Sequence, residues 1–387
     1  MPTATRRDLL IDISRLIWRT WSGRLPTGID RVCLAYVDRF AGRSQAVVQR
    51  GNLRQILTPA LSDAIFRLIR EGGPGFRTRA PRLAMRAVVA QRGGQLGQDR
   101  LYLNVGHTGL DATGLVTWAE KARVRPVYLI HDLIPLTHPE FCRVGEDIRH
   151  HRRMANALTS AAGIIGNSQA TLDDFAAFAA AQGKPCPPML PALLGGHPLP
   201  ADAPPIALDR PYFVTLGTIE GRKNHVLLLQ LWRRLIAHNP AACPKLIIIG
   251  QRGWEAQTAL AMLDRLPMIG GHVQVIEDCG DTALAGYLRG ARALLMPSFA
   301  EGYGLPVVEA LGVGTPVVAS DLPVFRELAG DLPIYCDPLD GATWLAAIAH
   351  HLQEGEVREA QLARVRGYTM PSWEAHFDAV EPWLDSL

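Results

Sequence analysis

The stretch Pro297-Ser298-Phe299-Ala300-Glu301-Gly302-Tyr303-Gly304-Leu305-Pro306-Val307-Val308-Glu309-Ala310 decides the fold. Before it runs Ala293-Leu294-Leu295-Met296, an apolar run short enough for a buried strand. After it, Val307 to Gly312 reads as a helix start with Pro306 in its first turn. A strand, a glycine-rich loop and a helix N-terminus together make an anion site, because free backbone N–H groups and the helix dipole point at the loop. Two carboxylates, Glu301 and Glu309, bracket the loop with seven residues between them. Carboxylates are poor phosphate ligands but good acceptors for vicinal hydroxyls. The combination asks for a ligand with both phosphates and sugar hydroxyls, such as a nucleotide-sugar.

A second motif, Gly217-Thr218-Ile219-Glu220-Gly221-Arg222-Lys223-Asn224-His225, follows the apolar run Tyr212-Phe213-Val214-Thr215-Leu216. Adjacent Arg and Lys at a strand-to-helix turn can neutralise a diphosphate, Arg as a planar fork and Lys as a point charge. Alone, the pair is equally a surface cap on a turn. In the first half, His131-Asp132-Leu133-Ile134-Pro135 ends the apolar run Val127-Tyr128-Leu129-Ile130, and His107 follows Leu101-Tyr102-Leu103-Asn104-Val105. Strands that end this way face ligands at the C-terminal edge of an open α/β sheet. A histidine ending a strand is also an ordinary hydrogen-bonded structural residue.

The Glu301–Glu309 segment resembles the E-x7-E signature of the retaining glycosyltransferases of family 4, which have the GT-B fold. Gly312-Val313-Gly314-Thr315-Pro316-Val317-Val318-Ala319-Ser320 and Phe325-Arg326-Glu327-Leu328-Ala329-Gly330 are similar to that family too. The resemblance implies two doubly wound Rossmann-like α/β domains with the ligand cleft between them. It places Arg222 and Lys223 on the donor diphosphate, Glu301 at the sugar and Glu309 at the ribose. Thr218, Tyr303, Gly304 and Leu305 complete the donor loops, and His131 touches the transferred sugar. His107 and Asp132 fall on the acceptor side. Thr27-Gly28-Ile29-Asp30-Arg31 resembles the family's glycine-bearing loop after the first strand, where Gly28 would let the backbone approach the donor phosphates; a plain turn glycine reads the same. The family commonly has Pro where Gly221 stands, which predicts a slightly looser loop. No nucleophile, cofactor or metal is implied, since Arg222 and Lys223 take the cation's role and no DxD-like cluster is suitably placed. The Glu-Gly-Arg-Lys-Asn and His-Asp-Leu-Ile-Pro stretches look most like bacterial enzymes that build surface polysaccharides, which favours GDP-mannose as donor and a lipid-linked saccharide as acceptor.

A chain of 387 residues suits two domains, expected at 1–195 and 196–365, and the family resemblance implies that a last helix over 366–387 returns to the N-terminal domain. Nine prolines between Pro185 and Pro211 mark the boundary, and two helices are expected after Tyr335. The six cysteines are scattered without a CxxC pair, as reduced thiols of a cytoplasmic protein would be. No apolar run approaches a membrane span and no signal-peptide core precedes Asp12.

The net charge of +3 conceals an asymmetry: residues 1–200 carry 26 Lys+Arg against 15 Asp+Glu, and residues 201–387 carry 14 against 22. Arginines at 67, 70, 77, 79, 82, 86 and 92 are interleaved with apolar residues including Ile65, Phe66, Leu68, Ile69, Leu83, Met85, Val88 and Val89. An amphipathic basic segment of this kind suits an anionic inner-membrane surface, or is simply a solvated face. Nucleic-acid or anionic-surface binding by the basic half is the alternative function. With Phe66 and Phe76 the only aromatics near these arginines, and with an acidic second half, nucleic acid is not expected as a partner. Dinucleotide-dependent oxidoreduction is disfavoured too, because Gly302-Tyr303-Gly304 is followed by Val307 where a GxGxxG fingerprint needs its third glycine.

Overall fold

The computed structural model describes residues 7–22, 28–51, 53–73, 75–80 and 97–387. The chain divides into two compact units. The first comprises Met1–Leu133, Asp147–Leu194 and His376–Leu387; the second comprises Ile134–Glu146 and Gly195–Ala375.

The first unit is built on seven strands: β1 (Leu9–Asp12), β2 (Ser44–Arg50), β3 (Leu53–Ile56), β4 (Arg100–Asn104), β5 (Val124–Ile130), β6 (Gly163–Gly166) and β7 (Met189–Pro191). Their order is β3-β2-β1-β4-β5-β6-β7, parallel throughout except for β3, which pairs antiparallel to β2. The second unit holds β8 (Tyr212–Leu216), β9 (Lys245–Ile249), β10 (Val273–Ile276), β11 (Leu294–Met296), β12 (Val317–Ser320) and β13 (Ile334–Cys336) in the fully parallel order β10-β9-β8-β11-β12-β13. The doubly wound α/β expectation holds for both units. In each, the strand order reverses once, at β1/β4 and at β8/β11, and open α/β sheets bind ligands just beyond the C-terminal ends of the strands at such a point.

The strands are apolar on both faces because helices cover both faces. Leu10, Ile11, Tyr102 and Leu129 are fully buried in the first sheet, Phe213, Ile247 and Leu295 in the second. Helix His225–His238 packs Leu228, Leu229 and Trp232 into the second core, where the Trp232 indole donates to Pro244 O at 2.9 Å.

Several local expectations are corrected. β2, β3, β7 and β13 were not foreseen. β7 lies inside the proline-rich stretch, and an edge strand tolerates proline because it pairs on one side only. Three helices, not two, follow Tyr335: Gly341–Leu352, Glu356–Val365 and Trp373–Ser386. Gly28 opens helix Gly28–Phe40 and does not lie in the loop after β1, because helix Ser14–Ser22 intervenes; Thr27 is outside the described residues.

In helix Pro59–Glu71, Ile65, Phe66, Leu68 and Ile69 are buried in the unit's own core, so they offer no membrane-facing stripe. Arg70 pairs with Asp38 and Arg79 with Glu71, while Arg82, Leu83, Met85, Arg86, Val88, Val89 and Arg92 lie outside the described residues. No helix among the described residues is long and apolar enough to cross a membrane, and all six cysteines are free.

Candidate functional site

In the second unit, the loops after β8 and β11 meet. Gly217 leaves β8 at φ +126°, and the chain turns through the 3-10 segment Gly221–Lys223 into helix His225–His238. A Cβ on Gly221 would lie 2.6 Å from Glu255 O. Glycine here allows close packing, which corrects the expectation of a looser loop. The Phe299 N–H donates to Arg222 O at 2.8 Å, and Phe299 stacks on Phe141 with centroids 5.1 Å apart.

Glu301 is the hub. It accepts from Arg222 Nη1 and Lys223 Nζ, each at 2.6 Å, and from Ser298 Oγ at 2.7 Å. Arg222 also reaches Ala300 O at 2.9 Å and pairs with Glu220 at 2.6 Å. The Glu301 and Lys223 side chains are only 5% and 8% exposed. Burial works to raise the Glu301 pKa, but Arg222 and Lys223 outweigh it and hold the carboxyl at about 2. Burial pushes Lys223 down, against the pull of Glu301. The four side chains thus balance two cations against two carboxylates, so any surplus positive potential for a diphosphate comes from the neighbouring helix N-terminus.

That helix, Leu305–Gly312, begins at Gly304 with φ +108°. A Cβ at Gly304 would sit 2.6 Å from Phe325 Cε1, so both the backbone angle and the packing select glycine. Tyr303 and Glu309 are buried, Leu305 and Thr218 half-buried. Arg222, Lys223 and Glu301 are therefore brought together, with Gly304 and Leu305 on the adjoining turn. Ser298 and Glu220 were not among the expected site residues, although both lie within the quoted motifs.

In the first unit, β1, β4 and β5 deliver a polar cluster at their C-terminal ends. His131 Nε2 bonds Val105 O at 2.8 Å, His107 Nε2 bonds Leu129 O at 2.8 Å, and His150 Nε2 bonds Asp132 O at 3.1 Å. A carbonyl only accepts, so each Nε2 carries the hydrogen and each Nδ1 keeps its lone pair. The His107 and His131 rings are 5.0 Å apart, His107 and His150 6.3 Å. Burial lowers the His131 pKa to about 4 and pushes His107 well below its ordinary value, so both rings are neutral near pH 7. His107 takes φ +59° in the turn after β4, and Asp132 is half-buried.

Asp12 ends β1 and accepts from Tyr102 Oη at 2.8 Å, Gln49 Nε2 at 2.7 Å and Ser14 N at 3.0 Å. Burial raises its pKa to about 6, with those bonds opposing the rise. Gln49 in turn donates to Thr108 O, fixing the turn that carries His107. Neither Asp12 nor Gln49 was singled out from sequence, yet Asp12 ends an apolar run just as His131 does. Gly28 is exposed; nearby, buried Asp30 is held by Arg15 at 2.7 Å and Arg19 at 3.2 Å. Among the described residues no group of three His, Cys, Asp or Glu side chains could hold a metal ion.

Residues 201–365 match the family described as glycosyl transferases group 1. The O-antigen chain mannosyltransferase B of Escherichia coli is 35% identical over 166 residues, 42% of each chain. The serotype-specific mannosyltransferase WbdA of Escherichia coli is 27% identical over 301 residues, covering 68% of this chain and 36% of WbdA. The chain thus spans well under half the length of these relatives. Among solved structures, Anabaena Alr3699/HepE in complex with UDP aligns over 98% of this chain and 99% of its own, with TM-score 0.66 and 15% identity. The α,α-trehalose-phosphate synthase of Burkholderia vietnamiensis aligns over 99% and 100%, with TM-score 0.60 and 13% identity. These two share the fold.

Proposed function

We propose, from the premise that residues 201–365 are a group 1 glycosyl transferase domain, that the chain transfers a hexose from a nucleotide-sugar to a saccharide acceptor with retention at the anomeric carbon. The observation that carries this reading is the Glu301–Arg222–Lys223 cluster beside the Gly304 helix start, inside the matched domain. Mannose from GDP-mannose is the favoured donor, supported by the names of the relatives; a growing lipid-linked polysaccharide is the acceptor.

In this reading Arg222, Lys223 and the helix N-terminus hold the diphosphate and stabilise it as it leaves. Glu309 accepts from the ribose hydroxyls. His131, neutral and with Nδ1 unprotonated, accepts from a hydroxyl of the transferred sugar. The leaving phosphate helps deprotonate the incoming hydroxyl on the same face, so positioning carries the reaction and neither metal nor cofactor is required. The chain works at an anionic inner-membrane surface that presents the lipid-linked acceptor, drawn there by the charge of its basic half.

A thermal-shift screen against GDP, UDP, ADP and their sugars tests the class and names the base; stabilisation by GDP and GDP-mannose above the others is expected. Product with inverted anomeric configuration, or turnover abolished by a chelator, would refute the mechanism.

A further inference from the structure

The second sheet has another polar site at the end opposite the candidate donor loops. A cavity of about 270 Å³ opens where β8 and β11 begin, lined by Arg210, Arg292 and Arg358 together with Ile206, Tyr212 and Gly290. Its walls are fixed by backbone. Tyr212 Oη donates to Ile206 O at 2.8 Å, and Ile206 N–H donates to Gly286 O at 2.9 Å. A Cβ on Gly290 would lie 2.2 Å from Ile206 O and 2.3 Å from Tyr212 Oη, so only glycine lets this strap approach.

The three guanidiniums are under-neutralised. Arg210 has Asp209 at 3.7 Å, and the Arg292 partner, Glu354, is 69% exposed. Arg358 donates to Arg292 O at 2.6 Å and Ala291 O at 3.1 Å, both neutral carbonyls. Among the described residues it has no carboxylate within ion-pair distance. Burial, and after it the Arg292 charge, push its pKa down against the pull of Glu354. Nothing in the donor reading uses these residues.

We propose that this cavity is a binding site for a small phosphate-bearing anion, orthophosphate or a sugar phosphate, held by Arg358, Arg292 and Arg210. Planar guanidinium forks match phosphate oxygens bidentately.

The test uses the full chain with GDP and UDP in excess, so that the donor loops are occupied, at constant ionic strength. Orthophosphate and mannose 1-phosphate are then titrated by calorimetry. One site is expected. Arg292→Gln and Arg358→Gln should weaken it at least tenfold, Arg358→Lys less, and Arg222→Gln not at all. The Arg292 variant keeps the test open should loss of the Arg358 carbonyl bonds unfold the chain. Tighter binding of mannose 1-phosphate identifies a sugar phosphate as the ligand; equal binding identifies free phosphate. No heat with either probe at millimolar concentration, or equal binding by wild type and both glutamine variants, overturns the proposal.

Discussion

Burial alone would raise the Glu301 pKa; donors from Arg222, Lys223 and Ser298 keep it ionised down to about pH 2. Glu301 therefore competes for the very cations assigned to the diphosphate. Glu301→Gln should bind GDP at least as tightly as wild type in calorimetry while losing roughly 10²-fold or more in turnover, the range for a lost electrostatic group. Equal damage to binding and rate would reduce Glu301 to a loop-shaping residue. Glu309→Ala should behave oppositely and lose nucleotide affinity, by about 1.5–3 kcal/mol for each hydrogen bond to its charge. Unchanged GDP affinity would remove it from the ribose. Glu301, Arg222 and Lys223 could be picked out as loop residues because motif and strand end supplied them in order. Their mutual pairing could not, since it joins loops that are distant in sequence and depends on how the two strands sit side by side.

Elements with continuous apolar runs, such as β8, β9 and β5, could be read directly. β2 could not, because Ser44, Gln45 and Gln49 are polar yet buried, the two glutamines satisfied by bonds such as Gln45 Nε2 to Leu57 O at 2.6 Å. Helix Pro59–Glu71 carried the right periodicity, but its stripe faces the core and not a bilayer; periodicity gives a face without naming what covers it. At the two candidate donor loops the turn glycines carry a sharper prediction. Gly304→Ala forces a side chain to φ +108° and into Phe325. It should cost roughly 1–3 kcal/mol by chemical denaturation and weaken GDP binding through the displaced helix start. A variant with wild-type stability and affinity would show the turn to be adaptable. Gly221→Pro, the residue common in the resembling family, should likewise destabilise this chain, because of Glu255 O.

Acid sensitivity belongs to the whole molecule. Burial holds the rings of His131, His225, His351 and His376 at about 4, below the unfolded value of about 6.5. The unfolded chain therefore binds more protons between those values. This contribution is complete above about pH 6.5 and is lost as pH falls toward 4. Asp12, raised to about 6, acts in the opposite sense, its contribution being lost as pH rises, but it is one group against four. Melting temperature should drop by several degrees from pH 7 to pH 5; a flat profile would show the rings to be hydrated. The alternation of strand and helix announced two α/β sheets, and the aromatic last helix was visible as well. Which residues it covers was not visible, because Tyr36 and Phe40 meet it only in three dimensions: Tyr36 Oη bonds His376 Nε2 at 2.9 Å, and Phe377 lies 5.2 Å from Tyr36 and 5.5 Å from Phe40. That arrangement sets a timetable for biosynthesis. As the chain leaves the ribosome, residues 195–375 emerge in one piece and can gather their core early, while helix Gly28–Phe40 waits with Tyr36 and Phe40 uncovered until residues 376–387 have been made. Helix Gly28–Phe40 is thus finished only after residues made long after it, and nascent chains stalled before residue 376 should be held by chaperones through that waiting aromatic face.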